Sequence, residues 1–140
     1  MRYLLDTNIF VYSAIDVDSL SKDVRAILED YDNTFCISSE SVKELIVAYR
    51  NKGLGARYWK TPEAMVKAIE DDYGIAILPI AKEHMLTYSR LQLNEAQGHK
   101  DPSDHIIIAQ AITEKLPLIS SDTRFLFYRN QGLELIFNTK

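Results

Sequence analysis

Cysteine is almost missing from this chain: Cys36 is the only one in 140 residues, so no internal disulfide can staple the fold. Flanked by Phe35 and Ile37, it reads as a small core residue. Histidine is scarce as well, and His84, His99 and His105 are scattered along the sequence. One cysteine and three dispersed histidines do not make the nitrogen and sulfur set that zinc prefers. Long apolar runs are missing too, and none approaches the roughly 20 residues of a membrane-spanning helix. The N-terminus has a single Arg2 before a strand-like run, without the longer apolar stretch and small-residue cleavage site of a secretory leader. These absences point to a reducing cytoplasm and away from the membrane. There is no internal repeat, low-complexity tract or linker, so residues 1–140 are expected to form a single domain. Net positive charge is also lacking: the formal charge is −4, which by itself argues against non-specific attraction to phosphate backbones.

What is present is an alternation of short apolar runs with helical periodicity. Arg2–Leu5 reads as a strand that stops at Asp6, and helix-like sequence runs from Asn8 to about Ala14. After the polar stretch Asp16–Lys22, Val24, Ile27 and Leu28 mark one face of a second helix. Phe35–Ile37 is a second strand. Ser38-Ser39 open a third helix with Val42, Leu45, Ile46 and Tyr49 on one stripe, which Gly53 stops. Thr61-Pro62-Glu63 supplies a cap and a proline for a fourth helix through about Asp72. Ile75–Leu78 is a third strand, ended by Pro79, and a long helix-like segment spans Ala81 to about Ala96. Asp101-Pro102 opens another helix, whose body Ile106–Lys115 is apolar almost all round, as a helix buried against a sheet would be. Leu118-Ile119 is a fourth strand, Arg124–Tyr128 a short helical segment and Leu133–Phe137 a last strand. The expected class is α/β, with a mostly parallel central sheet of four to five short strands flanked by helices.

Acids recur at equivalent places in that alternation. Asp6 and Asp122 each end a strand; Glu44 and Asp104 each lie near the start of a helix. Singly, each has an ordinary explanation. Asp6 suits a helix N-cap, Ser41-x-x-Glu44 fits a capping box, Asp101 and Asp104 suit the first turn behind Pro102, and Asp122 suits a turn. Jointly they are harder to dismiss. In a parallel sheet, strand C-termini and the N-termini of the following helices share one edge. Four acids converging there cannot all stay ionised without cations. An all-oxygen set suits Mg²⁺ or Mn²⁺, as one ion or two. Such ions activate water and stabilise charge on a phosphoryl oxygen.

The stretches Leu4-Leu-Asp6-Thr-Asn8, Ser41-x-x-Glu44-Leu45, Asp101-Pro-x-Asp104 before Ile108-Ala-Gln-Ala111, and Ile119-Ser-Ser-Asp122-x-x-Phe125 carry a resemblance. Their ordered set resembles the PIN domain family and, within it, VapC-type toxins of bacterial toxin–antitoxin pairs. The resemblance extends over essentially the whole chain. It implies a PIN-like fold and a Mg²⁺- or Mn²⁺-dependent endoribonuclease that hydrolyses RNA phosphodiester bonds with activated water. It implies that Asp6, Glu44, Asp104 and Asp122 are the catalytic and metal-ligating acids, supported by Asn8, Asp101 and Ser120. It further implies a homodimer held in check by a small antitoxin protein. One departure stands out: VapC-like sequences usually carry Arg after the equivalent of Asp104, and here the residue is His105.

If the five cluster acids are set aside, the remainder of the 20 acidic residues nearly balances the 16 basic ones. Contact with an RNA backbone could then come from local bases, of which Lys43 and Arg124 each neighbour a cluster acid. Trp59, in Arg57-Tyr-Trp-Lys60, is a candidate for stacking on bases; packing in a protein interface explains it equally. Three rivals compete with the nuclease reading. A phosphatase on a Rossmann-like fold would need a second Asp where Asn8 stands. A receiver-type domain would need a phosphate-contacting Lys that is not identifiable. A catalytically silent binding module would have no need of all four acids.

Overall fold

The computed structural model describes residues 1–139. Five strands form one sheet: β1 (Arg2–Leu5), β2 (Thr34–Ser38), β3 (Ala76–Leu78), β4 (Leu118–Ser120) and β5 (Leu135–Phe137). Six α-helices lie between them: α1 (Thr7–Ile15), α2 (Lys22–Glu29), α3 (Ser39–Lys52), α4 (Pro62–Asp71), α5 (Lys82–Arg90) and α6 (Pro102–Glu114). Three 3₁₀ turns, Val17–Ser19, Glu95–Gln97 and Thr123–Gln131, complete the chain.

Every strand pairing is parallel, and the order is β3-β2-β1-β4-β5. The chain moves outward from β1 to β3, then crosses back to lay β4 on the other side of β1. Strand order therefore reverses between β1 and β4. At such a switch point the connections leave in opposite directions and open a crevice beyond the strand C-termini. Asp6 follows β1 and Asp122 follows β4, so these two acids flank the crevice.

The sheet is covered on both faces, which accounts for its uninterrupted apolar strands. Successive side chains of β1 point to opposite sides. Tyr3 and Leu5 pack with Ile37, Ile119, Phe10, Val24, Leu45, Met65 and Ile69 under α1–α4. Leu4 packs with Cys36, Leu118, Ile107, Ile108, Phe125 and Tyr128 on the other face. Truncating the fully buried Leu4 or Leu5 to Ala would cost about 2–5 kcal/mol.

Local signals placed most boundaries. Thr61 caps α4 through its hydroxyl with Pro62 in the first turn, Asp101 caps α6, and Gly53 ends α3 in the left-handed region at φ 70°. Two expectations need correction. The helix predicted over residues 81–96 stops at Arg90. Beyond it the chain is extended, because the Gln92 N–H donates to the Gln131 side chain and the Asn94 N–H to the Tyr128 hydroxyl. The capping box at Ser41-x-x-Glu44 does not form either. Ser38 is the cap of α3, and Ser41 lies buried within that helix.

Candidate metal centre

The crevice at the switch point is a cavity of about 330 Å³ lined by Asp6, Glu44, Asp101, Asp104, Asp122 and Arg124, with Thr7, Asn8 and Leu54 among its other walls. The four acids singled out from the sequence thus line one space, as do Asn8 and Asp101. The end of β1, the start of α1, α3, the start of α6 and the turn after β4 contribute them.

Ser120 ties the two strand-end acids together. Its hydroxyl donates to Asp6 Oδ2 at 2.8 Å and accepts the Asp122 N–H at 3.1 Å. Asp6 Oδ1 accepts the Thr7 N–H at 2.9 Å, as an N-cap does. Thr7 also holds the acid from α3: its hydroxyl donates to Glu44 Oε1 at 2.7 Å and lies 2.8 Å from Ser41 Oγ. Glu44, Asp101 and Asp104 each bring a carboxylate oxygen to within 4.8 Å of the others, and His99, Asp104 and Asp122 form a second such trio. Asp104 belongs to both. Asp6 is outside these trios and is the most buried of the cavity's acids, at 7% exposure.

The charges fall into two groups. Burial, followed by the charges of Asp104 and Asp122, pushes the Asp6 carboxyl up to about 7 against the bonds from Ser120 and Thr7. Burial and the charges of Asp101, Glu44 and Asp122 push Asp104 up to about 7 as well, with the Arg124 charge opposing. Glu44 is raised by burial and by Asp101, Asp6 and Glu40, with the Thr7 bond opposing. No Lys or Arg among the described residues forms an ion pair with any of these three acids. Asp122 differs. Burial raises it, yet the Arg124 side chain and N–H outweigh burial and hold the carboxyl below its ordinary value. Arg124 Nε donates to Asp122 Oδ1 at 3.0 Å and Nη2 to Oδ2 at 2.8 Å.

Once ionised, Asp6, Glu44 and Asp104 therefore carry crowded, partly desolvated charge that no Lys or Arg ion pair among the described residues neutralises. Carboxylate oxygens around an open cavity fit a hard divalent cation, and a cation there would relieve both the repulsion and the burial cost.

Sequence reasoning missed several participants. Thr7 and Ser41 brace Glu44. Glu40 accepts a bond from Ser103 Oγ at 2.8 Å and pairs with Lys43, joining the first turns of α3 and α6. The histidines, scattered in sequence, are not all scattered in space: His99 Nε2 lies 3.0 Å from Asp104 Oδ2. His105 points away from the cavity, its Nε2 donating to the His99 carbonyl at 3.0 Å. A charged residue could not be buried there without a partner, whereas neutral imidazole fits. Lys43 lines a neighbouring groove with Val47 and Asn51, alongside the cavity and not in it. Trp59 is not among the residues lining the acidic cavity. Its half-buried ring packs on Phe10 at 6.4 Å and over Gly55, where a Cβ would meet it at 2.6 Å.

The PIN domain family matches residues 3–131 of this sequence. No curated protein matches it at a significant level. Among solved structures, VapBC2 from Rickettsia felis, bound to a DNA fragment from its promoter, superposes with TM-score 0.73 at 22% identity over 99% of each chain. VapBC-1 from nontypeable Haemophilus influenzae gives TM-score 0.68 at 23% identity over 100% of each chain. VapBC-5 from Mycobacterium tuberculosis, of the VapBC family of toxin–antitoxin systems, gives 0.66 at 20% identity, covering 97% of this chain and 98% of that one. At these identities the likeness is one of fold.

Proposed function

This chain belongs to the PIN domain family, and from that premise we propose that it is a Mg²⁺- or Mn²⁺-dependent endoribonuclease, the toxin of a VapC-type toxin–antitoxin pair. The observation that carries the reading is the crowding of Asp6, Glu44 and Asp104, none of them ion-paired to a Lys or Arg among the described residues, beside Asp122 in one open cavity at the sheet's switch point. A catalytically silent binding module would have no use for partly buried, mutually repelling acids, which cost stability and add nothing to packing.

A divalent cation in this cavity would lower the pKa of water and stabilise charge on a phosphoryl oxygen. Asp104 and Glu44 are the residues best placed to hold it, with Asp6 and Asp122 completing the acidic set and Asp101 at the rim. Thr7 fixes Glu44, and Ser120 fixes Asp6 relative to Asp122. Arg124, on the cavity wall and part-exposed, would meet a substrate phosphate, exchanging some of its bonds to Asp122 for bonds to phosphate oxygens. Asn8, exposed at the cavity wall, would orient water or substrate. Lys43 would guide the backbone from the adjacent groove. No protein nucleophile is required; the attacking group is water.

The likeness to VapBC proteins supports a small antitoxin as partner and inhibitor, and a homodimer is the assembly that the family resemblance implies. The extent of the family match supports reading residues 1–140 as one domain. No helix among the described residues is long and apolar enough to cross a membrane, which agrees with a cytoplasmic site of action. The deciding assay offers labelled RNA, DNA and a generic phosphomonoester to the purified protein with Mn²⁺, with Mg²⁺ and with EDTA. RNA cleavage that needs the cation and disappears in Asp6→Asn supports the reading. Hydrolysis of the phosphomonoester alone, or RNA cleavage indifferent to Asp6→Asn, overturns it. Co-purification with the product of an adjacent small reading frame, and a dimer mass by light scattering, test the assembly.

A further inference from the structure

A buried chain of hydrogen bonds runs from Asn94 through Tyr128 and His99 to an acid of the cavity. The Asn94 N–H donates to the Tyr128 hydroxyl at 3.0 Å, the hydroxyl lies 2.9 Å from His99 Nδ1, and His99 Nε2 lies 3.0 Å from Asp104 Oδ2. Tyr128 is fully buried and His99 is 1% exposed, so water does not interrupt the chain. The loop that carries His99 is itself fixed: its N–H donates to the Asn94 carbonyl, and its carbonyl accepts His105 Nε2.

Counting protons gives this chain a direction. The Tyr128 hydroxyl has one proton, and the Asn94 N–H points at its oxygen, so that proton goes to His99 Nδ1. Nδ1 must then be bare, which leaves the single ring proton on Nε2, facing Asp104. In the opposite tautomer Nδ1–H would donate to the Tyr128 oxygen and the hydroxyl proton would be left buried without an acceptor. A bare Nε2, which metal ligation by His99 would need, is disfavoured for the same reason.

We propose that His99 is a positioning residue for the cation site: its Nε2–H holds Asp104 Oδ2, fixing the carboxylate so that its other oxygen is left for the cation. This rests on the reading above that Asp104 is a cation ligand. A donor of this kind, oriented by its own partner, sets ligand orientation without touching the metal. His99 is thereby distinguished from the trio it forms with Asp104 and Asp122, in which it would be a ligand itself.

The test uses full-length protein with ¹⁵N-labelled histidine rings, followed by long-range ¹H–¹⁵N spectra before and after Mg²⁺, with Mn²⁺ affinity measured by calorimetry. His99 should carry its proton on Nε2 and keep it when Mg²⁺ binds. A proton on Nδ1, or loss of the Nε2 proton on adding Mg²⁺, makes His99 a ligand and overturns the proposal. His99→Phe should weaken Mn²⁺ binding by about 10–100-fold, while His99→Gln, which keeps an N–H toward Asp104, should restore most of it. Unchanged affinity in His99→Phe overturns the proposal. Should that variant not fold, Tyr128→Phe removes only the hydroxyl; it should mix the two tautomers and lower Mn²⁺ affinity severalfold, and a wild-type tautomer and affinity would overturn the proposal. Wild-type protein that binds Mn²⁺ with the expected tautomer but cleaves no RNA defeats the ribonuclease reading and leaves this inference standing. Absence of Mn²⁺ binding defeats both.

Discussion

The floor of the cavity and its rim are built from the same residue types and behave in opposite ways. On the floor, Asp6 and Asp104 are pushed up to about 7 and Glu44 is raised; among the described residues no Lys or Arg forms an ion pair with them, and the Arg124 charge only partly offsets the rise at Asp104. At the rim Arg124 clasps Asp122, and in the groove alongside Lys43 pairs with Glu40; both acids are held below their ordinary values although burial opposes it. These two acids carry their counter-charge within the chain. Among the described residues the floor acids have no such ion-paired partner, and this difference separates carboxylates already balanced by a neighbouring base from carboxylates that wait for a cation.

Neutralising the floor should therefore have the largest effect on activity. Asp6→Asn and Asp104→Asn are each expected to reduce Mn²⁺-dependent RNA cleavage by more than about 100-fold, beyond what loss of a supporting hydrogen bond costs. Thr7→Val, which keeps the shape but deprives Glu44 of its hydroxyl donor, should cost about 10-fold in the same assay. Arg124→Gln should weaken RNA binding severalfold and flatten its salt dependence, while leaving Mn²⁺ affinity equal or tighter, since a competing cation has gone.

Stability supplies a further contrast. In the folded, cation-free protein Asp6 and Asp104 keep their protons up to about 7; unfolded, they release them near 4. Across that window the native state binds more protons than the unfolded state, so the stability these groups contribute falls as pH rises and is lowest above 7. Asp104→Asn should thus melt higher than wild type at pH 8 without cation, and Mg²⁺ should raise the wild-type melting temperature more at pH 8 than at pH 5.5. Equal melting of variant and wild type at pH 8 would remove the distinction between floor and rim. The smallest effect belongs to the groove alongside: Lys43 is largely exposed, so Lys43→Ala should shift unfolding free energy by no more than about 1 kcal/mol.

Much of this was legible in the residues. Acids at strand ends and helix starts announced the site because a parallel sheet gathers those positions on one edge. Thr61-Pro62, Asp101-Pro102 and Gly53 marked helix ends because they satisfy terminal backbone groups locally. What was illegible depends on contacts distant in sequence. Nothing between Lys82 and Ala96 breaks a helix; the Gln131 and Tyr128 side chains do so from more than 30 residues away. Ser41 and Glu44 have capping-box spacing, and only the approach of Thr7 from α1 makes them part of the site. His99 gave no signal, because a loop residue five positions before Asp104 becomes its neighbour only when Tyr128 and His105 turn it inward.

The most direct test of the account is to locate the cation. Crystals grown with Mn²⁺ and measured near the manganese edge should give an anomalous peak on the floor, within coordination distance of Asp104 and at least one other floor acid, with Arg124 still free to turn toward substrate. A peak confined to the rim, or no peak at a concentration that supports RNA cleavage, would contradict it.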